Sequence, residues 1–280
     1  MLGAFDLAIM YLTKHQTAYG PRWASDGHWL PTDFRLGLAL QLRSSQMHEF
    51  LAGFPASPQA QGPLMACLDD EHEVWASGVT YLRSREARES ETQVKDIYDR
   101  VYEAARPELF FKAIGRRVVA HGQPIRVRRD AKWTVPEPEV TLVVNAHHEI
   151  VGFCIGNDVS SRDIEGENPL YLPQAKVYDG ACALGPGIEL LGVDEITKLE
   201  LSLKISRAGE PVFSGETSVA QMKRRLSELV EYLMAELEFP EGVLLLTGTG
   251  VVPDDAFTLK PGDEVSIAVG GRTLHNSVGA

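Results

Sequence analysis

Residues 133–179 hold the groups in this chain best suited to chemistry, beginning with Glu137 and Glu139 set among Pro136 and Pro138. Each proline fixes its own φ and pushes the residue before it toward extended geometry, so the segment is held straight. On an extended chain, residues two apart point the same way. Two carboxylates on one face repel each other unless a cation, a proton or solvent relieves them. Taken alone, the pair reads first as a solvated strand edge with two surface glutamates. A third carboxylate, Asp158, follows the strand that a short hairpin pairs with the one after the glutamates, so the three can converge. Three hard oxygen donors without histidine or cysteine suit Mg²⁺, Mn²⁺ or Ca²⁺. A metal held this way leaves positions for the ketone and carboxylate oxygens of a 2-oxo acid and can act as a Lewis acid, making C3 acidic. An acidic loop then leads on to Lys176, which reads as a catalytic lysine beside that metal.

The elements that must position these groups read as strand-rich α+β with few helices and no βαβ rhythm. An apolar hairpin, 140–145 and 150–155, turns at Ala146-His147-His148-Glu149. Adjacent histidines on a strand would face opposite sides, so His147-His148 reads as a polar turn rather than a ligand pair. Further strands are predicted at 74–79, 107–112, 199–206, 210–214 and 243–246, with Val265, Ile267 and Val269 alternating in a late one. Helical spacing of Val94, Ile97, Tyr98, Val101, Tyr102 and Ala105 predicts an amphipathic helix over 92–105. Ser218 and Gln221 resemble a capping box before a helix ending near Leu237. The glycines of Thr247-Gly248-Thr249-Gly250 would let backbone approach a ligand. Residues 1–70, with scattered histidines His15, His28 and His48, read as a small N-terminal domain, and 71–280 as the catalytic one.

With 280 residues, the chain can bury a sizeable core. Its net charge of -12 argues against nucleic acid as a partner. The same charge requires any small anionic substrate to be drawn by local positive charge, from a metal, a lysine or an arginine. Cys67, Cys154 and Cys182 lack ligand spacing and read as buried thiols in a reducing, cytoplasmic compartment. Neither a signal peptide nor a membrane-spanning stretch is expected, and the protein is not expected at a membrane.

Taken together, the motifs resemble the fumarylacetoacetate hydrolase family, whose members carry an E-x-E pair, an N-D-x-S-x-R-D run and a downstream lysine. Glu137-Pro138-Glu139, the run Asn157-Asp158-Val159-Ser160-Ser161-Arg162-Asp163 and Lys176 match in that order, and 247–250 and 259–263 also fit. The resemblance spans roughly residues 70–280. It implies a mixed β-sandwich roll, a divalent metal on Glu137, Glu139 and Asp158, and a homodimer or homotetramer. Hydrolytic members carry an N-Y-x-x-H segment whose histidine helps to activate water; here Thr80-Tyr81-Leu82-Arg83-Ser84 puts Ser84 in its place. The loop 164–176, with Arg106-Pro107-Glu108-Leu109-Phe110-Phe111-Lys112, is similar to the family's 2-keto-3-deoxy-sugar-acid (arabinonate or xylonate) dehydratases. That resemblance implies elimination of water from a 2-keto-3-deoxypentonate to give 2,5-dioxopentanoate. Lys176 and Glu108 then exchange protons with C3 and the C4 hydroxyl, in either assignment. Arg162 and Thr249 are candidates for holding the substrate carboxylate, and Glu165 and Tyr171 for meeting its hydroxyls. The alternative is C–C hydrolysis or decarboxylation of a 2,4-dioxo or 2-oxo dicarboxylic acid on the same metal.

Overall fold

The computed structural model describes residues 9–82 and 100–279. In chain order its first elements are β1 (Met10–Thr17), β2 (Gly20–Ser25), β3 (His28–Trp29), α1 (Leu36–Leu40), α2 (Ser44–Ala52), β4 (Glu73–Gly78) and β5 (Glu108–Ile114). The middle of the chain forms β6 (Ile125–Arg126), β7 (Thr134–Val135), β8 (Pro138–Val144), β9 (Ile150–Asp158), β10 (Ser160–Ser161), α3 (Arg162–Glu167), α4 (Leu172–Lys176) and β11 (Cys182–Leu190). The last part adds α5 (Val193–Ile196), β12 (Glu200–Arg207), β13 (Glu210–Ser218), α6 (Leu226–Leu233), β14 (Val243–Leu246), β15 (Asp263–Val269) and β16 (Arg272–Gly279).

A large sheet in the order β3-β2-β1-β11-β9-β8-β14-β4-β5 is the frame of the molecule. Its centre is buried on both faces, which explains why β8 and β14 are apolar almost without alternation. One face packs Val140, Leu142, Phe153, Ile155 and Leu245 against a second sheet, β13-β12-β15-β16-β6, and against Leu229 and Leu233 of α6. The other face packs Val143, Cys154, Leu184 and Leu244 against Leu36, Leu40, Met47 and Leu51 of α1 and α2. The strands of the first thirty residues continue the large sheet through β1 pairing with β11.

The β8–β9 hairpin turns where the sequence places it. Asn145 Oδ1 accepts from the amides of His147 and Glu149 at 2.9 Å each, and His148 sits in the left-handed region at φ 64°. His147 Nε2 meets Gln41 O at 3.0 Å, so the two histidines serve the turn. The expected helix at 92–105 falls mostly outside the described residues, as does Ser84. Two expectations are corrected. Ser218 caps a 3-10 turn at Val219–Gln221, accepting from Ala220 at 3.3 Å, and α6 starts only after Arg225. That helix also stops at Leu233 rather than near Leu237. Past Met234 the apolar stripe ends, since Leu237 is exposed and Pro240 lies ahead.

Candidate active site

The site lies at one end of β8, β9 and β14. Pro138 pairs with Asn157 and Glu139 with Gly156, and the Asp158 amide donates to Glu137 O at 2.9 Å. Directly opposed residues share a face, so Glu137, Glu139 and Asp158 all lie on the face that carries Val143 and Cys154 further along. The three are at most 4% exposed, and each offers a carboxylate oxygen within 4.8 Å of the others. The chain then folds back: β10 pairs with β7, and the Arg162 amide donates to Trp133 O at 2.8 Å. That return places the Arg162 Nη2 atom 3.0 Å from Glu137 Oε1.

Lys176 closes the cluster from the last position of α4. Its Nζ donates to Glu137 Oε2 and Asp158 Oδ2 at 2.9 Å each and to Ser160 Oγ at 2.6 Å. Lys112, whose side chain is wholly buried, pairs with Asp158 Oδ1. It also donates to Val159 O at 3.1 Å and Lys176 O at 2.6 Å. A register shift between β4 and β5 falls at Lys112, between the pairs Val74–Ala113 and Trp75–Phe111. Such bulges re-aim side chains, and here the result is a lysine from an apolar strand tied to the carboxylate cluster. Lys112 and Ser160 are the two contacts that reading the sequence missed. The signal for Lys112 is a single charge embedded in Leu109-Phe110-Phe111-Lys112-Ala113.

Gly248, two residues beyond β14, donates its amide to Glu139 Oε2 at 2.6 Å. It adopts φ +91°, and a Cβ there would overlap Thr80 Oγ1, which itself donates to Thr247 O at 2.7 Å. Glycine is therefore required for the backbone to reach the carboxylate. Burial is the largest influence on Glu139, followed by the charges of Asp158 and Glu137. Together they push its carboxyl well above the usual range, against the pull of Lys176 and the Gly248 amide. A hard divalent cation removes that penalty, and the all-oxygen donor set fits one.

The remaining candidates are spread around this centre. Glu108 is half-buried opposite Gly78, where a Cβ would overlap its carboxylate. It shares a face of β5 with Phe110, whose ring centre is 5.6 Å from Lys176 Nζ. Glu165 is buried on α3. Thr249 is buried, and its hydroxyl donates to Val251 O at 3.0 Å within its own loop. Tyr171 is 37% exposed. The three cysteines are free and buried, and burial pushes the Cys182 thiol up to about 12, away from nucleophilic use.

This arrangement of an E-x-E pair, the aspartate closing β9 and a lysine spanning them coincides with a match to the fumarylacetoacetate hydrolase C-terminal family over residues 73–278. The chain belongs to that family. Within the family, it is 49% identical over 211 residues to a probable 2-keto-3-deoxyxylonate dehydratase of Haloferax volcanii, covering 75% of this chain and 73% of that one. It is 46% identical over 208 residues to a 2-dehydro-3-deoxy-D-arabinonate dehydratase of Saccharolobus solfataricus, covering 71% and 69%. The apo form of a 2-keto-3-deoxy-D-arabinonate dehydratase superposes with a TM-score of 0.78 at 34% identity, covering 97% of this chain and 98% of that one. A 2-keto-3-deoxy-D-arabinonate dehydratase complexed with magnesium and 2,5-dioxopentanoate gives 0.73 at 33% identity over the same shares. The strand-rich α+β architecture read from the sequence is thus the family's fold.

Proposed function

We propose that the chain is a magnesium-dependent hydro-lyase that removes water from a 2-keto-3-deoxypentonate, of the xylonate or arabinonate series, to give 2,5-dioxopentanoate. The observation carrying this reading is the buried trio Glu137, Glu139 and Asp158 with Lys176 across it, in a chain that over 211 and 208 residues is 49% and 46% identical to a probable xylonate-series and an arabinonate-series dehydratase. Glu137, Glu139 and Asp158 would hold the metal, which supplies Lewis acidity toward a 2-oxo acid when bound. Mn²⁺ or Ca²⁺ suits the same oxygen donors.

Lys176 and Glu108 are assigned the proton transfers. One takes a proton from C3, and the other donates to the C4 hydroxyl as it departs as water. Moving a proton from C5 to C3 then gives a C4=C5 enol, and transfer of its hydroxyl proton to C4 leaves the aldehyde at C5. Phe110, beside the lysine on the Glu108 face of β5, helps to keep bulk water from the pair. Arg162 faces Glu137 and is assigned to steady that ligand as well as to draw the substrate's negative charge. Thr249 is assigned, with Arg162, to the substrate carboxylate, and Glu165 and Tyr171 to the hydroxyls at its other end. Residues 1–70 are proposed as a small N-terminal unit and 71–280 as the catalytic one; the family match beginning at residue 73 supports that boundary. The assembly is proposed to be a homodimer or homotetramer in the cytoplasm, a location that the three free thiols support.

Incubating the enzyme and Mg²⁺ with a panel of 2-keto-3-deoxy acids, followed by NMR of the products, tests the reading. It predicts 2,5-dioxopentanoate from at least one pentonate and loss of at least about hundredfold in kcat for Lys176→Ala. A near-normal rate in that variant would remove the lysine from the chemistry, and absence of any aldehyde product would remove the reaction.

A further inference from the structure

The carboxylate oxygens of the site divide by what holds them. Arg162 contacts Glu137 Oε1 at 3.0 Å, Lys112 pairs with Asp158 Oδ1, and the Gly248 amide holds Glu139 Oε2 at 2.6 Å. The other oxygens of Glu137 and Asp158 both accept from one group, the Lys176 ammonium, at 2.9 Å. It also donates to Ser160 Oγ at 2.6 Å, so the ammonium is shared among at least three side-chain oxygens.

The two buried lysines differ in what anchors them. Lys112 is pinned by two main-chain carbonyls, Val159 O and Lys176 O, in addition to Asp158. The Lys176 ammonium reaches the side-chain oxygens of Glu137, Asp158 and Ser160 on a four-carbon stem that can swing. The Phe110 ring, 5.6 Å from its Nζ, offers a cation a second seat.

We propose that Lys176 is the internal counter-cation of the metal-free site, and that a divalent metal takes Glu137 Oε2 and Asp158 Oδ2 from it, turning its ammonium toward Phe110 and the substrate. The inference rests on the assignment of Glu137, Glu139 and Asp158 as metal ligands in the proposed function. Two cations drawn to the same pair of buried oxygens repel each other, so the metal and the lysine compete, and the metal must be bound before the lysine can face the substrate. The lysine therefore weakens metal binding while serving the reaction.

Titrating metal-stripped full-length protein with Mn²⁺ alone, by calorimetry, tests the competition. Lys176→Met is expected to bind Mn²⁺ about tenfold more tightly than wild type, or more; equal or weaker binding overturns the proposal. Should that variant fail to fold, wild type suffices. Acetic anhydride labelling read by peptide mass spectrometry should show Lys176 several-fold more reactive with saturating Mn²⁺ than without, while Lys112 stays protected. Unchanged or reduced Lys176 labelling overturns the exchange. Neither readout involves a sugar acid, so a chain that exchanges lysine for Mn²⁺ but dehydrates no keto-deoxy acid supports this inference and overturns the assigned reaction.

Discussion

At the scale of the residue, the site is a balance of buried charge. Three carboxylates face Lys112, Lys176 and Arg162, every one of them at most 4% exposed. Breaking one buried pair by removing a partner typically costs about 3–5 kcal/mol, so these side chains bear on stability as well as on chemistry. Glu139 gives the balance a pH dependence. Its folded carboxyl is raised above the ordinary range, chiefly by burial and then by Asp158 and Glu137. An unfolded chain loses that proton first, so between the ordinary and the raised value the native state holds more protons, and raising the pH lowers stability. A metal that binds the ionised form offsets this cost. The Mg²⁺-induced gain in thermal midpoint should therefore be larger at pH 8 than at pH 5.5, as differential scanning fluorimetry can measure; equal gains would contradict the assignment of Glu139 as a ligand.

At the scale of the element, the hairpin β8–β9 does most of the positioning, and most of it is legible in the sequence. Alternating prolines announce the straight approach to Glu137 and Glu139, the apolar runs announce two buried strands, and Asn145 with the polar 146–149 announces the turn. The remainder is not written locally. Lys112 reaches Asp158 because a register shift against β4 re-aims it, a property of the pairing of two strands with residues 79–107 between them. Ser160 meets Lys176 through the return of β10 onto β7. The boundary of α6 was misplaced because Leu237 continues the chain's apolar content without continuing the buried stripe. Thr249 illustrates the opposite limit: its position in a glycine loop suggests a ligand contact, but its hydroxyl donates to Val251 O in the same loop. The Gly248 amide is the loop's contact with the cluster. Gly248→Ala should lower the unfolding midpoint by roughly 5 °C or more, through a strained φ and the overlap with Thr80, and should weaken metal binding with it. A variant with wild-type stability and metal affinity would show that the amide does not hold Glu139.

At the scale of the whole molecule, a large sheet buried on both faces carries the site at one end, where β8, β9 and β14 finish or begin together with the Gly248 loop. The net charge of -12 leaves recruitment of an anionic acid to the cations gathered there. The chain should sediment as a dimer or tetramer in analytical ultracentrifugation; a monomer at micromolar concentration would contradict the proposed assembly. On the proposed function, a metal on Glu137, Glu139 and Asp158 is needed for elimination of water from a keto-deoxypentonate. The most direct test of this requirement is the rate of 2,5-dioxopentanoate formation by enzyme stripped with EDTA, measured before and after Mg²⁺ is restored. The predicted result is no detectable turnover without metal and full recovery with it. Turnover that survives chelation, or an enzyme that stays inactive on both pentonates after Mg²⁺ is returned, would contradict the account.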